Sequence, residues 1–142
     1  MRFWDSSAVV PLIIEQAPSS ACSRALDDDP ELWVWWGTIV ECESAIGRAE
    51  RTRRITADSA ETARSSLGVL AAAWQEVQPS QLLRHTAQRL LRVHPLRTGD
   101  ALQAAAAIVA ADSDPSAFTV VCLDSRLAEA LRREGFAVEA PA

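Results

Sequence analysis

The sequence contains no lysine, because all 14 of its basic residues are arginine. A P-loop that binds nucleotide phosphates requires the lysine of its GK[ST] signature, and a Schiff-base enzyme requires an amine. Receiver domains and haloacid-dehalogenase-type enzymes likewise use a lysine beside their aspartate. The missing lysine therefore argues against all four of these kinds of site.

Cysteine and histidine are also scarce. Cys22, Cys42 and Cys122 are widely spaced, odd in number and form no CxxC pair, which argues against a disulfide framework or a zinc ribbon. We expect them to be reduced residues of a protein core in the cytoplasm. His85 and His94 lie nine residues apart with Pro95 directly after, a spacing that does not place two ligands on one helix face.

Long apolar runs are absent as well. The longest, "ALQAAAAIVAA", is too short and too rich in alanine to span a membrane. The start, "MRFWDSS", lacks the apolar stretch of a signal peptide, since Asp5 interrupts it. We therefore expect a cytoplasmic protein with no membrane partner.

The composition that is present is typical of a globular protein. With 142 residues, 49% hydrophobic and 23% charged, the chain is long enough for one domain with its own core, over residues 1–142. The net charge of -5 is unsuited to binding nucleic acid by charge alone. It is compatible with nucleic-acid binding if the acidic residues are concentrated at one site that binds cations.

Short apolar runs alternate with longer segments of helical periodicity. The runs "RFW", "ELWVWW", "QEVQP", "FTVVCLD" and "FAVEA" predict strands, and the last of them an edge strand. Ser6 or Ser7 is expected to cap the first helix, and Thr38 the helix after the second strand. The nearly uniformly apolar segment from Thr98 to Asp112 predicts a buried helix whose alanines lie close to a sheet. This alternation predicts a three-layer α/β/α fold around a mostly parallel sheet of four to five strands.

Four acidic residues follow strand ends or open helices in this pattern. Asp5 and Asp124 end strands, while Glu41 and Asp100 lie in the first turns of helices. Sites in parallel sheets form at the carboxyl ends of the strands, so these four side chains should converge at one edge. Their mutual repulsion would raise their pKa values unless a divalent cation neutralised them. An all-oxygen cluster suits the hard ions Mg²⁺ and Mn²⁺.

Four sequence blocks resemble the signature blocks of a known family. They are "FWDSSAVVPLI", "TIVECESAIGR", "LRTGDALQAAAAIVAA" and "VVCLDSRLAEALRREGF". In order and spacing they are similar to those of PIN-domain ribonucleases, and more narrowly to VapC-type toxins of type II toxin–antitoxin pairs. The resemblance covers nearly the whole chain.

The resemblance implies a PIN-like fold and a Mg²⁺- or Mn²⁺-dependent endoribonuclease that leaves a 5′-phosphate and a 3′-hydroxyl. By position, Asp5, Glu41, Asp100 and Asp124 match the family's acidic quartet of catalytic and metal-binding residues. The pair Ser6 and Ser7 matches the small hydroxyl residues beside the first aspartate, and Ser7 is the preferred partner of that aspartate. The implied partners are the RNA substrate, a second copy of the chain, and an antitoxin that covers the acidic pocket, often with an arginine.

Two positions depart from a simple assignment. Glu41 and Glu43 both lie well off the apolar direction of their helix, so geometry alone does not choose between them. The T-x-x-E spacing from Thr38 matches the family and selects Glu41. After Asp124 the sequence reads Ser-Arg, without a second acid two residues on, so the fourth corner of the quartet depends on Asp124 alone.

Basic residues near these blocks are candidate RNA contacts. Arg48 and Arg51 belong to the densest basic stretch, "RAERTRR", and Arg97 precedes Asp100 by three residues. The simpler interpretation of "RAERTRR" is a solvated helix end favoured by the helix dipole. For the whole chain, the alternative to a nuclease is a non-catalytic PIN-like module that binds RNA or protein.

Overall fold

The computed structural model describes residues 1–142, and a five-stranded sheet lies at its centre. The strands are β1 (Arg2–Trp4), β2 (Leu32–Trp35), β3 (Gln75–Val77), β4 (Thr119–Val121) and β5 (Ala137–Glu139). They are ordered β3-β2-β1-β4-β5, and every neighbouring pair is parallel. The predicted parallel sheet is confirmed, with the last segment as an edge strand.

Seven α-helices connect and cover these strands. They are α1 (Ser6–Ile13), α2 (Ser19–Asp28), α3 (Thr38–Arg51), α4 (Ala57–Ala73), α5 (Gln81–Val93), α6 (Thr98–Ala110) and α7 (Ser125–Arg133). A short 3₁₀ turn, Pro115–Ala117, precedes β4. None of the helices has both the length and the apolar character needed to cross a membrane.

Alternating strand residues divide the core into two clusters, one on each face of the sheet. In β2, Leu32 and Val34 pack with residues of α1–α4, whereas Trp33 and Trp35 pack with those of α5–α7. This alternation is the period of two expected for a strand that is buried on both faces. The sheet therefore forms the middle layer of an α/β/α sandwich, as predicted.

The order of the strands places a topological switch point at the middle of the sheet. From β1 the chain moves outward to β2 and β3, and it then returns to the other side of β1 to form β4 and β5. Connections in the two directions cover opposite faces, so the helices diverge above the carboxyl ends of β1 and β4. Such a crevice is the common binding site of open parallel α/β sheets.

The alanine-rich helix α6 is buried against this sheet. Ala101 and the four alanines at positions 104–107 are almost fully inaccessible, so the prediction of a buried helix is confirmed. Their small side chains let the helix axis come close to its neighbours, and this brings the first turn of α6 to the crevice. The three cysteines are free and buried, as expected for core residues.

Two predicted helix caps are wrong. The cap of α1 is Asp5, whose Oδ2 accepts a hydrogen bond from the Ser7 amide at 3.1 Å, so neither Ser6 nor Ser7 caps the helix. Thr38 is the first residue of α3 and is not its cap, which is Gly37. The Thr38 hydroxyl instead accepts a hydrogen bond from the Gln103 amide at 3.0 Å. For Thr38, a long-range partner therefore uses the hydroxyl of a residue whose local preference is to cap.

Candidate functional site

The carboxylate of Asp5 lies at the carboxyl end of β1, beside β4. Its backbone amide donates to the carbonyl of Val121 at 3.0 Å, which fixes the end of β1 against the end of β4. The residue is only 4% exposed. Besides capping α1, Asp5 therefore places a carboxylate in a position with almost no access to water. Burying this charge destabilises the fold unless a positive charge or hydrogen bonds compensate for the lost hydration.

Glu41 reaches the same region from the first turn of α3. Its two carboxylate oxygens accept separate hydrogen bonds, from the Ser6 hydroxyl at 2.9 Å and from the Gln103 side-chain amide at 2.9 Å. Ser6 belongs to α1 and Gln103 to α6. Three helices thus hold this carboxylate in one orientation.

Glu43 points away from this region. Its carboxylate pairs with the Arg64 guanidinium of α4 at 3.2 Å, and 49% of its side chain is exposed. The two glutamates that the sequence left open are therefore in different surroundings, and only Glu41 lies beside Asp5.

Asp100 and Asp124 are the third and fourth of the predicted carboxylates, and they lie at the starts of two further helices. Asp100 lies in the first turn of α6, and Asp124 is the cap of α7, with its Oδ1 accepting from the Leu127 amide at 2.9 Å. Both residues are partly exposed. The start of α6 therefore positions Asp100, and the start of α7 positions Asp124.

All four predicted carboxylates line one cavity, which we call the carboxylate pocket. Its volume is about 270 Å³, and Arg48 and Ser7 are also among its lining residues. The Ser7 amide binds Asp5, and the Ser7 hydroxyl accepts from the Leu123 amide at 2.9 Å. Ser7 thereby ties α1 to the segment after β4.

The pocket holds its carboxylates in surroundings that disfavour ionisation. The pKa of Asp5 is raised to about 6, mainly by burial and in smaller part by the charges of Glu41 and Asp100, against the opposing hydrogen bonds from Ser7. Burial also raises the pKa of Glu41, and the charge of Asp100 adds to this. For Asp100, burial is again the main cause of a raised pKa, followed by the charge of Asp124. These directions indicate a site with excess negative charge, which a cation would relieve.

The donor set fits a hard divalent ion, although the carboxylates do not form a finished coordination shell. No three of the chain's Asp, Glu, His and Cys side chains lie close enough together to form a metal site by themselves. Mg²⁺ is commonly held by one or two carboxylates and keeps several water ligands. An arrangement of oxygen ligands around a shared cavity suits that mode, in which water completes the contacts.

The three basic residues predicted as RNA contacts differ in whether they line the carboxylate pocket, an adjoining cavity or neither. Arg48 lines it from α3, and Arg97 lines an adjoining cavity that shares Asp100 and Asp124 with it. Arg51, at the end of α3, lines neither. Arg126, in the adjoining cavity, and Gln103 were not among the residues predicted from sequence, and Ser6 was matched to the family's hydroxyl pair without its bond to Glu41.

Gln103 has a specific role that the pattern of α6 did not indicate. It is 1% exposed in a helix face made of alanines, and its amide nitrogen bonds both Thr38 and Glu41. A lone amide in an apolar helix face was the available signal, since such a group is buried only where it has hydrogen-bond partners. Gln103 therefore orients Glu41 toward the carboxylate pocket.

For the metal-dependent RNA cleavage that the sequence resemblance implies, we expect Gln103→Leu to weaken divalent-ion binding and the cleavage rate by about 10- to 100-fold, the usual effect of losing a residue that orients a ligand. The change removes a hydrogen bond that lowers the pKa of Glu41, so the acidic limb of the pH–rate profile should move to higher pH. Cleavage rates measured against Mg²⁺ concentration and pH test both effects. The control is Gln88→Leu on the exposed face of α5, and equal behaviour of the two variants would remove this role from Gln103.

Comparisons with known proteins identify the fold. No protein-family model matches the chain, and no curated protein matches it by sequence. Among solved structures, a chain of FitAcB from Neisseria gonorrhoeae matches with a TM-score of 0.68 and 14% identity, covering 99% of this chain and 98% of that one. A toxin–antitoxin complex from Klebsiella pneumoniae matches with a TM-score of 0.66 and 15% identity, covering 100% and 98%.

A third solved structure agrees with these two. VapBC2 from Rickettsia felis, bound to a DNA fragment from its promoter, matches with a TM-score of 0.66 and 12% identity, covering 99% of this chain and 98% of that one. The three likenesses extend over nearly the whole of each chain. The chain therefore has the three-layer, PIN-like α/β/α fold.

Proposed function

We propose that this protein is a Mg²⁺- or Mn²⁺-dependent endoribonuclease and the toxin component of a type II toxin–antitoxin pair. The observation that supports the catalytic part is the carboxylate pocket itself. Asp5, Glu41, Asp100 and Asp124 come from positions spread over most of the chain, and all four line one cavity at the switch point of the sheet. A fold without a use for them would gain stability by replacing several of these acids.

The residues of the pocket divide the work between them. Asp5 and Asp100 would hold the divalent ion, with Glu41 and Asp124 completing its surroundings directly or through water. The ion, when bound, would supply Lewis acidity toward a phosphoryl oxygen and lower the pKa of attacking water. Ser6 and Gln103 keep Glu41 aimed into the pocket. The Leu127 amide holds Asp124, which is thereby placed to orient water or substrate.

The proposed partners are supported by the fold and by the sequence resemblance. Solved structures with this fold include a toxin–antitoxin complex and VapBC2 bound to promoter DNA. By that likeness, we propose a cognate antitoxin as partner of this chain. That the antitoxin blocks the carboxylate pocket, that the chain is a homodimer and that it is cytoplasmic are proposed from the sequence and its family resemblance. A guanidinium from the antitoxin would suit the pocket, because it pairs with carboxylates in a bidentate manner and replaces the charge of the cation.

The test of the catalytic proposal is metal-dependent cleavage by the purified wild-type protein. Labelled tRNA, rRNA and mRNA are incubated with the protein in EDTA, in Mg²⁺ and in Mn²⁺, and the products are resolved on a sequencing gel. We expect discrete cuts with a 5′-phosphate in either metal and none in EDTA. Expression without the antitoxin should arrest bacterial growth.

A second candidate, a non-catalytic PIN-like module that binds RNA or protein, has one observation in its favour. The carboxylates do not by themselves assemble a group of three metal ligands. That candidate predicts RNA or protein binding that is unaffected by EDTA, and no cleavage of any of the RNAs in either metal. Such a result from folded protein would replace the nuclease proposal.

A further inference from the structure

A second cavity opens beside the carboxylate pocket, between the start of α6 and the start of α7. We call it the arginine cavity, because Arg97 and Arg126 line it together with Ser125. Its volume is about 660 Å³. Asp100 and Asp124 line both cavities, so an extended ligand can pass from one to the other along a shared wall.

The two guanidinium groups in this cavity act on Asp100 through their charges, which lower its pKa, but neither forms a salt bridge with it. Neither Arg97 nor Arg126 forms an ion pair, and both residues are exposed. By contrast, Arg64 and Arg89 bind glutamates at 2.7–3.5 Å. Two positive charges without a salt-bridge partner thus lie on the same cavity wall as Asp100 and Asp124.

The immediate surroundings of these arginines also favour an anion. The first turns of α6 and α7 border the cavity, and they belong to helices of 13 and 9 residues. The positive ends of two helix dipoles therefore add to the two guanidinium charges. The Ser125 hydroxyl provides a further hydrogen-bond donor on the same wall.

We propose, on the basis of the nuclease function proposed above, that Arg97 and Arg126 bind the RNA phosphate next to the one that is cleaved. A single-stranded RNA has one negative charge per nucleotide. When one phosphate lies in the carboxylate pocket, its neighbour meets the outer sides of Asp100 and Asp124. Two guanidiniums at that position offset this repulsion and pair with phosphate oxygens. They position the strand without reading its sequence.

The first test measures binding without cleavage. In an Asp5→Asn background with Mg²⁺, fluorescence anisotropy follows a short fluorescein-labelled single-stranded RNA over a series of salt concentrations. We expect Arg97→Ala and Arg126→Ala each to raise Kd about tenfold, the effect of losing one charge-assisted hydrogen bond. Each should also reduce the salt slope by about 0.7, as for one lost phosphate contact on a single strand.

The control is Arg132→Ala, which removes the same charge from the exposed far end of α7. If Arg97→Ala and Arg126→Ala change Kd and the salt slope no more than this control does, the subsite is refuted. That outcome leaves metal-dependent cleavage by the wild type untouched. Conversely, absence of cleavage by the wild type refutes the nuclease and does not alter the binding measurement.

The second test identifies the phosphate. A cleavable RNA whose cut position has been mapped is prepared with one uncharged methylphosphonate linkage, on either side of that cut. On one side, the neutral linkage should raise the wild-type KM as much as Arg126→Ala does, and Arg126→Ala should then cause no further change. An arginine effect of unchanged size with both modified RNAs would mean that the cavity binds another group, and it would overturn the assignment.

Discussion

Asp5→Asn should reduce metal-dependent RNA cleavage by about 10³-fold, to the level of the background, while the protein remains folded. Asp5 is the most buried of the four carboxylates and lies where β1 and β4 meet. An amide of the same shape keeps the hydrogen bond to the Ser7 amide but lacks the charge that would hold the divalent ion. The loss of several kcal/mol of metal-derived transition-state stabilisation gives this magnitude.

The same substitution should not destabilise the protein at neutral pH. Burial raises the pKa of Asp5 from 3.8 to about 6, so the unfolded chain ionises first as the pH rises. Wild-type stability therefore falls between these two pKa values and stays lower above them, by about 3 kcal/mol from this residue. Asn removes that cost, but its buried amide hydrogens lack good acceptors, which costs about 1–3 kcal/mol. We expect the variant to be as stable as the wild type or up to about 2 kcal/mol more stable at pH 8.

Urea unfolding in EDTA at pH 5 and pH 8 measures this difference, and gel-based cleavage measures the activity. Added Mg²⁺ should stabilise the wild type at pH 8, since it binds only the folded state, and it should stabilise Asp5→Asn much less. Asp27→Asn, on an exposed turn of α2, is the matched control and should cleave normally. Full activity of folded Asp5→Asn would remove Asp5 from catalysis.

The sequence was sufficient for those features that depend on local periodicity. Strand ends can be located from apolar runs, and Asp5 and Asp124 mark two of them, so their convergence follows from the rule for parallel sheets. The buried helix from Thr98 is evident in the same way. Its first-turn carboxylate, Asp100, could therefore be placed at the edge of the sheet before any coordinates were considered.

The remaining features depend on contacts between distant segments. Gln103 binds Glu41 across 62 positions of the chain, and Ser6 binds Glu41 across 35. No periodicity encodes such pairs, because each depends on how two helices are packed. For the same reason the capping preference of Thr38 was misleading, since its hydroxyl is used by Gln103. Arg126 was not predicted as a site residue because only the packing of α6 and α7 brings it into the same cavity as Arg97.

The choice between Glu41 and Glu43 shows what packing adds to the sequence. The two residues are two positions apart on α3, and the helix pattern alone assigns neither to the site. In the structure Glu41 is bound by Ser6 and Gln103, whereas Glu43 pairs with Arg64 on the opposite side. Because their surroundings differ, we expect replacement by glutamine to affect cleavage at Glu41 and to leave it unchanged at Glu43.

We expect Glu41→Gln to lower the cleavage rate by about 10²- to 10³-fold, as for loss of one preorganised electrostatic group, and to raise the Mg²⁺ concentration needed for half-maximal rate. Glu43→Gln should leave both quantities unchanged. It weakens an exposed ion pair, a kind of contact that contributes little to stability, and Arg64 retains Glu50 and Glu61 as partners. Steady-state cleavage over a Mg²⁺ titration separates the variants, and urea unfolding verifies that both are folded. If Glu43→Gln lost activity and Glu41→Gln kept it, α3 would have to present its other face to the RNA. Glu41 would then no longer belong to the proposed catalytic carboxylates.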